Sequence, residues 1–111
     1  MSYEVNSTSL FEREAKPLIK KYSSLANELN DLIDSLAEQP TQGTAIGNNC
    51  YKIRLAIKSK GKGKSGGARI ITCVIAVREE VVLLSIYDKS ERQTISDAEI
   101  KKRLNHYLKS L

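Results

Sequence analysis

CYKIRLAIKSKGKGKSGGARIITCVIAV, running from Cys50 to Val77, is the stretch of sequence that decides the fold. Its first part alternates: Tyr51, Ile53, Leu55 and Ile57 are apolar, with Lys52, Arg54, Ala56 and Lys58 between them. A period of two predicts a strand with one face in a core and the other outside it. Ser59 to Gly67 (SKGKGKSGG) holds four glycines and three lysines, a composition that forms a loop rather than regular structure. Ala68 to Val77 (ARIITCVIAV) is a ten-residue run rich in β-branched side chains, which predicts a central strand covered on both faces. If the glycine-rich segment closes a hairpin, Arg69 opens the second strand close to Lys58 or Arg54 on the first.

Upstream the period changes to that of a helix. Ser9 with Glu12 three residues on has the spacing of a capping box, and Phe11, Ala15, Leu18, Ile19 and Tyr22 recur on one face. Pro17 interrupts that pattern and predicts a kink or a later helix start. Ser23 and Ser24 then offer a second cap, and Leu25, Leu29, Leu32, Ile33 and Leu36 make the clearest amphipathic helix in the chain, stopped at Gln39-Pro40. The short link between the two predicts an antiparallel helix hairpin. Tyr3 to Asn6 is a weak strand signal, and Thr41 to Asn49 reads as turns. Downstream, Arg78-Glu79-Glu80 reads as a tight turn and Val81 to Tyr87 (VVLLSIY) as another strand. Ser96 caps a last helix, with Ile100, Leu104, Tyr107 and Leu108 assigned to one face and Lys101, Lys102 and Arg103 to the other. The expected architecture is α+β: a small antiparallel β-sheet with an N-terminal helix hairpin packed on one face, followed by a C-terminal helix.

The chain has 111 residues, 41% of them apolar, which suits one domain spanning 1–111. No run approaches the ~18 apolar residues of a membrane span. Two cysteines, Cys50 and Cys73, are too few for a disulfide scaffold, so the cytoplasm is the expected location. Eighteen Lys and Arg against thirteen Asp and Glu leave a net charge of +5. Its distribution says more: residues 1–51 carry a net −3, residues 79–111 a net 0, and the segment between carries +8 without one acid. Those cations are Lys52, Arg54, Lys58, Lys60, Lys62, Lys64, Arg69 and Arg78. A field of one sign over so short a segment points to a polyanionic partner; a solvated basic surface is the alternative.

Familiar catalytic constellations are missing. His106 is the only histidine, on a terminal helix where a surface or interface place is expected. Cys50 and Cys73 lack the spacing of a zinc site and read as small apolar residues. GKGKS suggests a phosphate loop, but the first glycine of that pattern is Lys58 here and no helix follows. No metal or cofactor is expected. What remains is the strand face carrying Lys52, Arg54 and Lys58, with Arg69 on the neighbouring strand and Tyr87, Lys89 and Arg92 at the far end of the last one. Cations along strands meet successive phosphates, and Tyr87 offers a ring for an unpaired base. Strand scission by a ribose 2′-hydroxyl needs a proton acceptor, stabilisation of charge on phosphorus and a donor for the leaving oxygen. Clustered cations supply the second and favour a neutral lysine for the first.

Helix hairpin, CYKIRLAI, basic loop, GARIITCVIAV and VVLLSIYDKSE in that order resemble the RelE/ParE superfamily of bacterial toxins over nearly the whole chain, most of all the HigB-like branch of RelE. The resemblance implies a toxin that cleaves messenger RNA in the decoding site of the ribosome and is neutralised by a cognate antitoxin. By position it implies Lys52 and Arg54 as the basic pair of the catalytic strand, Arg69 as the holder of the scissile phosphate, and Tyr87 or Lys89 near the leaving oxygen. Lys58, Lys60, Lys62, Lys64 and Arg92 would then contact RNA or the ribosome, unless the loop lysines only solubilise a hairpin connection. Two positions depart from the RelE pattern: Ser90 stands where a catalytic arginine is expected, and Ser96 where a C-terminal tyrosine is. Either Tyr87 or Lys89 substitutes, or proton transfer is weakened. The rival is a ParE-like toxin that binds and inhibits DNA gyrase without cutting RNA, and a third reading is a plain nucleic-acid-binding module.

Overall fold

The computed structural model describes residues 2–61, 63, 65–91 and 94–111. Among them the order of elements is β1 (Glu4–Ser7), α1 (Ser9–Lys21), α2 (Leu25–Glu38), β2 (Thr44–Gly47), β3 (Cys50–Leu55), β4 (Ala68–Ile75), β5 (Glu80–Asp88) and α3 (Asp97–Lys109). The five strands form one sheet in the order β1-β5-β4-β3-β2. Consecutive strands β2 to β5 pair antiparallel, as expected, but β1 lies parallel to β5, so the sheet is mixed. The helix hairpin carries the chain from β1 to the opposite edge, where β2 runs against it, and the three reversals from β2 to β5 bring β5 back alongside β1 in the parallel sense.

Helix α1 starts one residue earlier than the capping box suggests. Thr8 is the cap, its Oγ1 accepting from the Phe11 N–H at 3.1 Å. Ser7 rather than Ser9 engages Glu12, donating to its carboxylate at 2.6 Å. Pro17 does not break the helix. Pro17 and Arg13 are both exposed, so the carbonyl that loses its donor faces water. Phe11, Ala15 and Leu18 of α1 and Leu25, Leu29, Leu32 and Leu36 of α2 meet Ile53, Ala68, Ile70, Val81, Leu83 and Ile86 of the sheet, with Ile57 just beyond β3, in the main core. Each fully buried leucine or isoleucine there removes enough apolar surface to be worth about 2 kcal/mol.

The opposite face carries a second core. Cys50, Ile71, Cys73, Val82, Leu84 and Tyr87 meet Ile95 and Ile100, with Leu104 and Tyr107 against them. Helix α3 therefore covers part of the sheet face that the hairpin leaves. Ser96 caps it as expected, accepting from the Glu99 N–H at 3.1 Å. Arg103 is not on the solvent side, however. Three residues after Ile100, it follows that residue under the helix, donates to Glu14 of α1 at 2.8 and 2.9 Å, and also reaches the Leu84 carbonyl. Leu108, assigned to the packed face, is exposed instead.

The turn-rich stretch before β3 contains the edge strand β2, which the sequence reading missed. Gly43 makes this approach feasible: with φ +96° it lies where a Cβ would stand 2.5 Å from the Lys52 carbonyl oxygen. No helix of the described residues is long and apolar enough to cross a membrane.

Candidate functional site

Strand register places the predicted cations. Arg54 of β3 lies directly opposite Arg69 of β4, and Arg69 lies directly opposite Tyr87 of β5. One row therefore crosses three strands on the face away from the helix hairpin. In the next row on that face stand Lys52, Ile71 and Ser85. Neighbouring strands are about 4.8 Å apart, so the two guanidinium stems and the phenol ring start within one nucleotide's reach of each other. Arg54 is exposed, Lys52 is half-buried, and Arg69 and Tyr87 are each 5% exposed.

The segment after β5 closes over this face. Ile95 packs into the same cluster as Tyr87 and Ile71. The Lys52 ammonium donates to Thr94 Oγ1 at 3.3 Å. Arg69 turns along its own strand toward the loop, donating to the carbonyls of Ala68 and Ser65, each at 3.2 Å. Arg69 is thus the deepest cation of the row and Arg54 the one most open to an incoming polyanion.

The loop after β3 is held more firmly than its composition suggests. Strand β3 ends at Leu55, and Lys58–Lys60 form a single 3₁₀ turn, so Lys58 is not on the strand face. The Lys58 N–H donates to Glu28 of α2 at 2.8 Å, and the Ser59 N–H donates to Ser24 Oγ at 3.0 Å. At the other end the Lys89 N–H donates to the Gly67 carbonyl at 3.0 Å. Gly67 has no room for a side chain, since a Cβ would lie 2.1 Å from the Leu55 carbonyl oxygen.

Lys60, expected on a free arm, is instead pinned to the end of the last strand. Its ammonium pairs with Asp88 at the end of β5, where the two side chains are 9% and 0% exposed. It also reaches Ser90 Oγ at 3.0 Å and lies 5.6 Å from the centre of the Tyr22 ring. Asp88 in turn accepts from the Tyr22 hydroxyl at 2.6 Å and from the Ser90 N–H and hydroxyl at 2.9 and 2.8 Å. Burial by itself pushes the Asp88 carboxyl up. Its hydrogen bonds from Lys60, Tyr22 and Ser90 outweigh that and hold it well below the usual carboxylate range. This node ties loop, helix corner and strand end together immediately beside Tyr87 and Lys89. The sequence reading missed Asp88, whose one local signal is an acid closing an otherwise apolar strand.

Lys62, Lys64 and Arg92 lie outside the described residues. No group of three or more potential ligands that could hold a metal occurs among the described residues.

A family model described as the RelE toxin of the RelE/RelB toxin–antitoxin system matches residues 4–110. The chain belongs to the RelE toxin family. Solved RelE structures share its fold at low identity. A mutant of the E. coli toxin RelE in the free state superposes with a TM-score of 0.63 at 22% identity, covering 93% of this chain and 98% of that one. A mutant of E. coli RelE in complex with an antitoxin RelBc peptide gives 0.56 at 20%, covering 94% and 95%. The toxin–antitoxin complex RelBE2 from Mycobacterium tuberculosis gives 0.54 at 14%, covering 79% and 92%. No curated protein matches the sequence significantly. In this RelE-family chain Ser90 and Ser96, where the sequence resemblance leads one to expect other residues, have occupations of their own. Ser90 donates to Asp88, and Ser96 caps α3.

Proposed function

We propose that this RelE-family toxin is an endoribonuclease that cuts messenger RNA on the ribosome by attack of a 2′-hydroxyl on the adjacent phosphorus. The observation that carries this reading is the cross-strand row of Arg54, Arg69 and Tyr87, with Lys52 in the next row on the same face. Arg54 and Arg69 hold the scissile phosphate from neighbouring strands and stabilise the charge that builds on it, the largest contribution preorganised donors make. Lys52, in the next row on the same face, takes the 2′-hydroxyl proton. With the Ser90 hydroxyl committed to Asp88, the donor to the leaving 5′-oxygen is Tyr87 or Lys89. Lys58, together with Lys62, Lys64 and Arg92, carries further contacts to RNA.

By likeness to the RelE structures solved with RelBc and as RelBE2, its cognate partner is a RelB-type antitoxin. No observation favours the gyrase-binding reading. The test is to add the purified protein to ribosomes programmed with a messenger and to the same messenger alone. Cuts at the decoding site that require the ribosome support the proposal. Intact messenger with inhibited gyrase supercoiling overturns it.

A further inference from the structure

Cys50 and Cys73 are used by neither core chemistry nor the proposed cleavage, and the register sets them directly opposite each other on β3 and β4. The Val74 N–H donates to the Asn49 carbonyl at 2.9 Å, which makes 49 and 74 a hydrogen-bonded pair. The next pair along an antiparallel ladder, Cys50 and Cys73, is then non-hydrogen-bonded, the kind in which Cα atoms stand about 4.5 Å apart and side chains are closest. That separation falls within the range a disulfide spans, about 4.4–6.8 Å between Cα atoms. Both sulfurs lie on one spot: Cys50 Sγ is 3.6 Å and Cys73 Sγ 3.7 Å from the Asn48 carbonyl oxygen.

We propose that Cys50 and Cys73 form a reversible dithiol–disulfide modification site whose oxidant is a peroxide. The Cys50 thiolate attacks one peroxide oxygen, breaking the O–O bond and becoming a sulfenic acid while hydroxide leaves. The Cys73 sulfur then displaces the sulfenic oxygen, and its proton leaves with that oxygen as water. The sum is two thiols and one hydrogen peroxide giving one disulfide and two waters. Cys50 lies on β3, beside the turn Asn48–Asn49 and paired to the edge strand β2, whereas Cys73 lies on the inner strand β4, so the oxidant meets Cys50 first: Cys50 is the nucleophile and Cys73 the resolving thiol. The mutual influence of the two thiols, which lowers Cys50 and raises Cys73, runs the same way.

Both cysteines are only 2% exposed, in the cluster that Ile46 of β2 also packs against. Beside Cys50 lie the four-residue edge strand β2, with a register shift between Ala45 and Gly47, and the exposed turn Asn48–Asn49 in the left-handed region at φ 55° and 61°. Opening of a short edge strand is the low-stability kind of local unfolding that admits a small oxidant. The ring closed by the bond runs from residue 50 to residue 73, so it contains Lys52, Arg54 and Arg69 and fixes β3 to β4 beneath the cationic row.

The experiment treats the reduced full chain in dilute solution with hydrogen peroxide, unfolds it, counts thiols and maps crosslinked peptides by mass. The expected result is loss of both thiols, a single intramolecular Cys50–Cys73 crosslink two hydrogens lighter, and full recovery with dithiothreitol. In Cys73→Ser the reaction halts at a sulfenic acid on Cys50 that dimedone traps, whereas Cys50→Ser keeps an unmodified thiol. Two titratable thiols after treatment would overturn the proposal. So would sulfinic acid at one cysteine with the other still reduced, or crosslinks only between chains. None of these outcomes depends on whether the protein cuts RNA.

Discussion

Arg54 and Arg69 are register partners with the same side chain, yet they sit differently. Arg54 is open to solvent, whereas Arg69 is buried and held by the Ala68 and Ser65 carbonyls. An already ordered guanidinium stabilises a transition state without being reorganised, so Arg69 should matter most to the chemical step. Arg69→Ala is expected to slow messenger cleavage by about 10²–10³-fold while co-sedimentation with ribosomes stays near wild type. Equal loss of both would make Arg69 a binding residue only. Exposed Arg54 should act largely through charge. Arg54→Ala should weaken RNA association and reduce its salt slope by about one, which titrations at several salt concentrations check.

Asp88 is the other residue with a distinct expectation. Because its carboxyl is held below the ordinary range, the stability it contributes is fully present above about pH 4 and is lost as pH falls through the lower folded value. Asp88→Asn should cost about 3 kcal/mol at neutral pH, since it leaves the Lys60 ammonium buried beside a neutral amide. It should also flatten the acid limb of the melting temperature between about pH 5 and pH 2. Thermal unfolding followed across that range measures both effects, and an unchanged acid limb would count against the node.

At the scale of elements, α3 is fastened by few but strong contacts. Arg103 bridges Glu14 and Glu99 and reaches the Leu84 carbonyl, and the Tyr107 hydroxyl donates to Glu80 at the start of β5. Burial and then that carboxylate push Tyr107 up to about 12, so this contact survives mild alkali. Arg103→Met should cost about 2 kcal/mol and raise hydrogen exchange across α3 well above that of β4 and β5. Uniform exchange changes would mean α3 is not a separately held element.

The elements whose packing is written in local periodicity were legible in the sequence: the hairpin helices, β3, β4, β5 and the Ser96 cap of α3. So was the placement of Lys52 and Arg54 on the outer face, because alternation along one strand fixes it. Contacts between distant residues were not. Lys60 reaches Asp88 across 28 residues and Arg103 reaches Glu14 across 89, and no spacing rule announces such pairs. The lysine-rich loop looked free because its composition has no core, but backbone hydrogen bonds to Glu28 and Ser24 anchor its start. Strand β2 was hidden by Gly43 and Gly47, which read as turn residues while one of them permits the close strand approach.

For the whole molecule, the charge map and the fold agree. The +8 segment supplies β3, the loop and β4, and the net-negative N-terminal part supplies the helices on the other side of the sheet. Family membership adds toxin–antitoxin biology to that geometry, and the proposed chemistry makes one statement that geometry alone does not. Attack by the 2′-hydroxyl expels the 5′-oxygen, so the upstream fragment must end in a cyclic phosphate and the downstream one must begin with a 5′-hydroxyl. The decisive measurement is therefore to incubate the protein with messenger-programmed ribosomes, map the cut positions and determine the chemistry of both ends. Ribosome-dependent cuts within the decoding site, bearing 2′,3′-cyclic phosphate and 5′-hydroxyl ends and vanishing with Arg69→Ala, are the predicted result. Uncut messenger, or fragments ending in 3′-hydroxyl and 5′-phosphate, would contradict it.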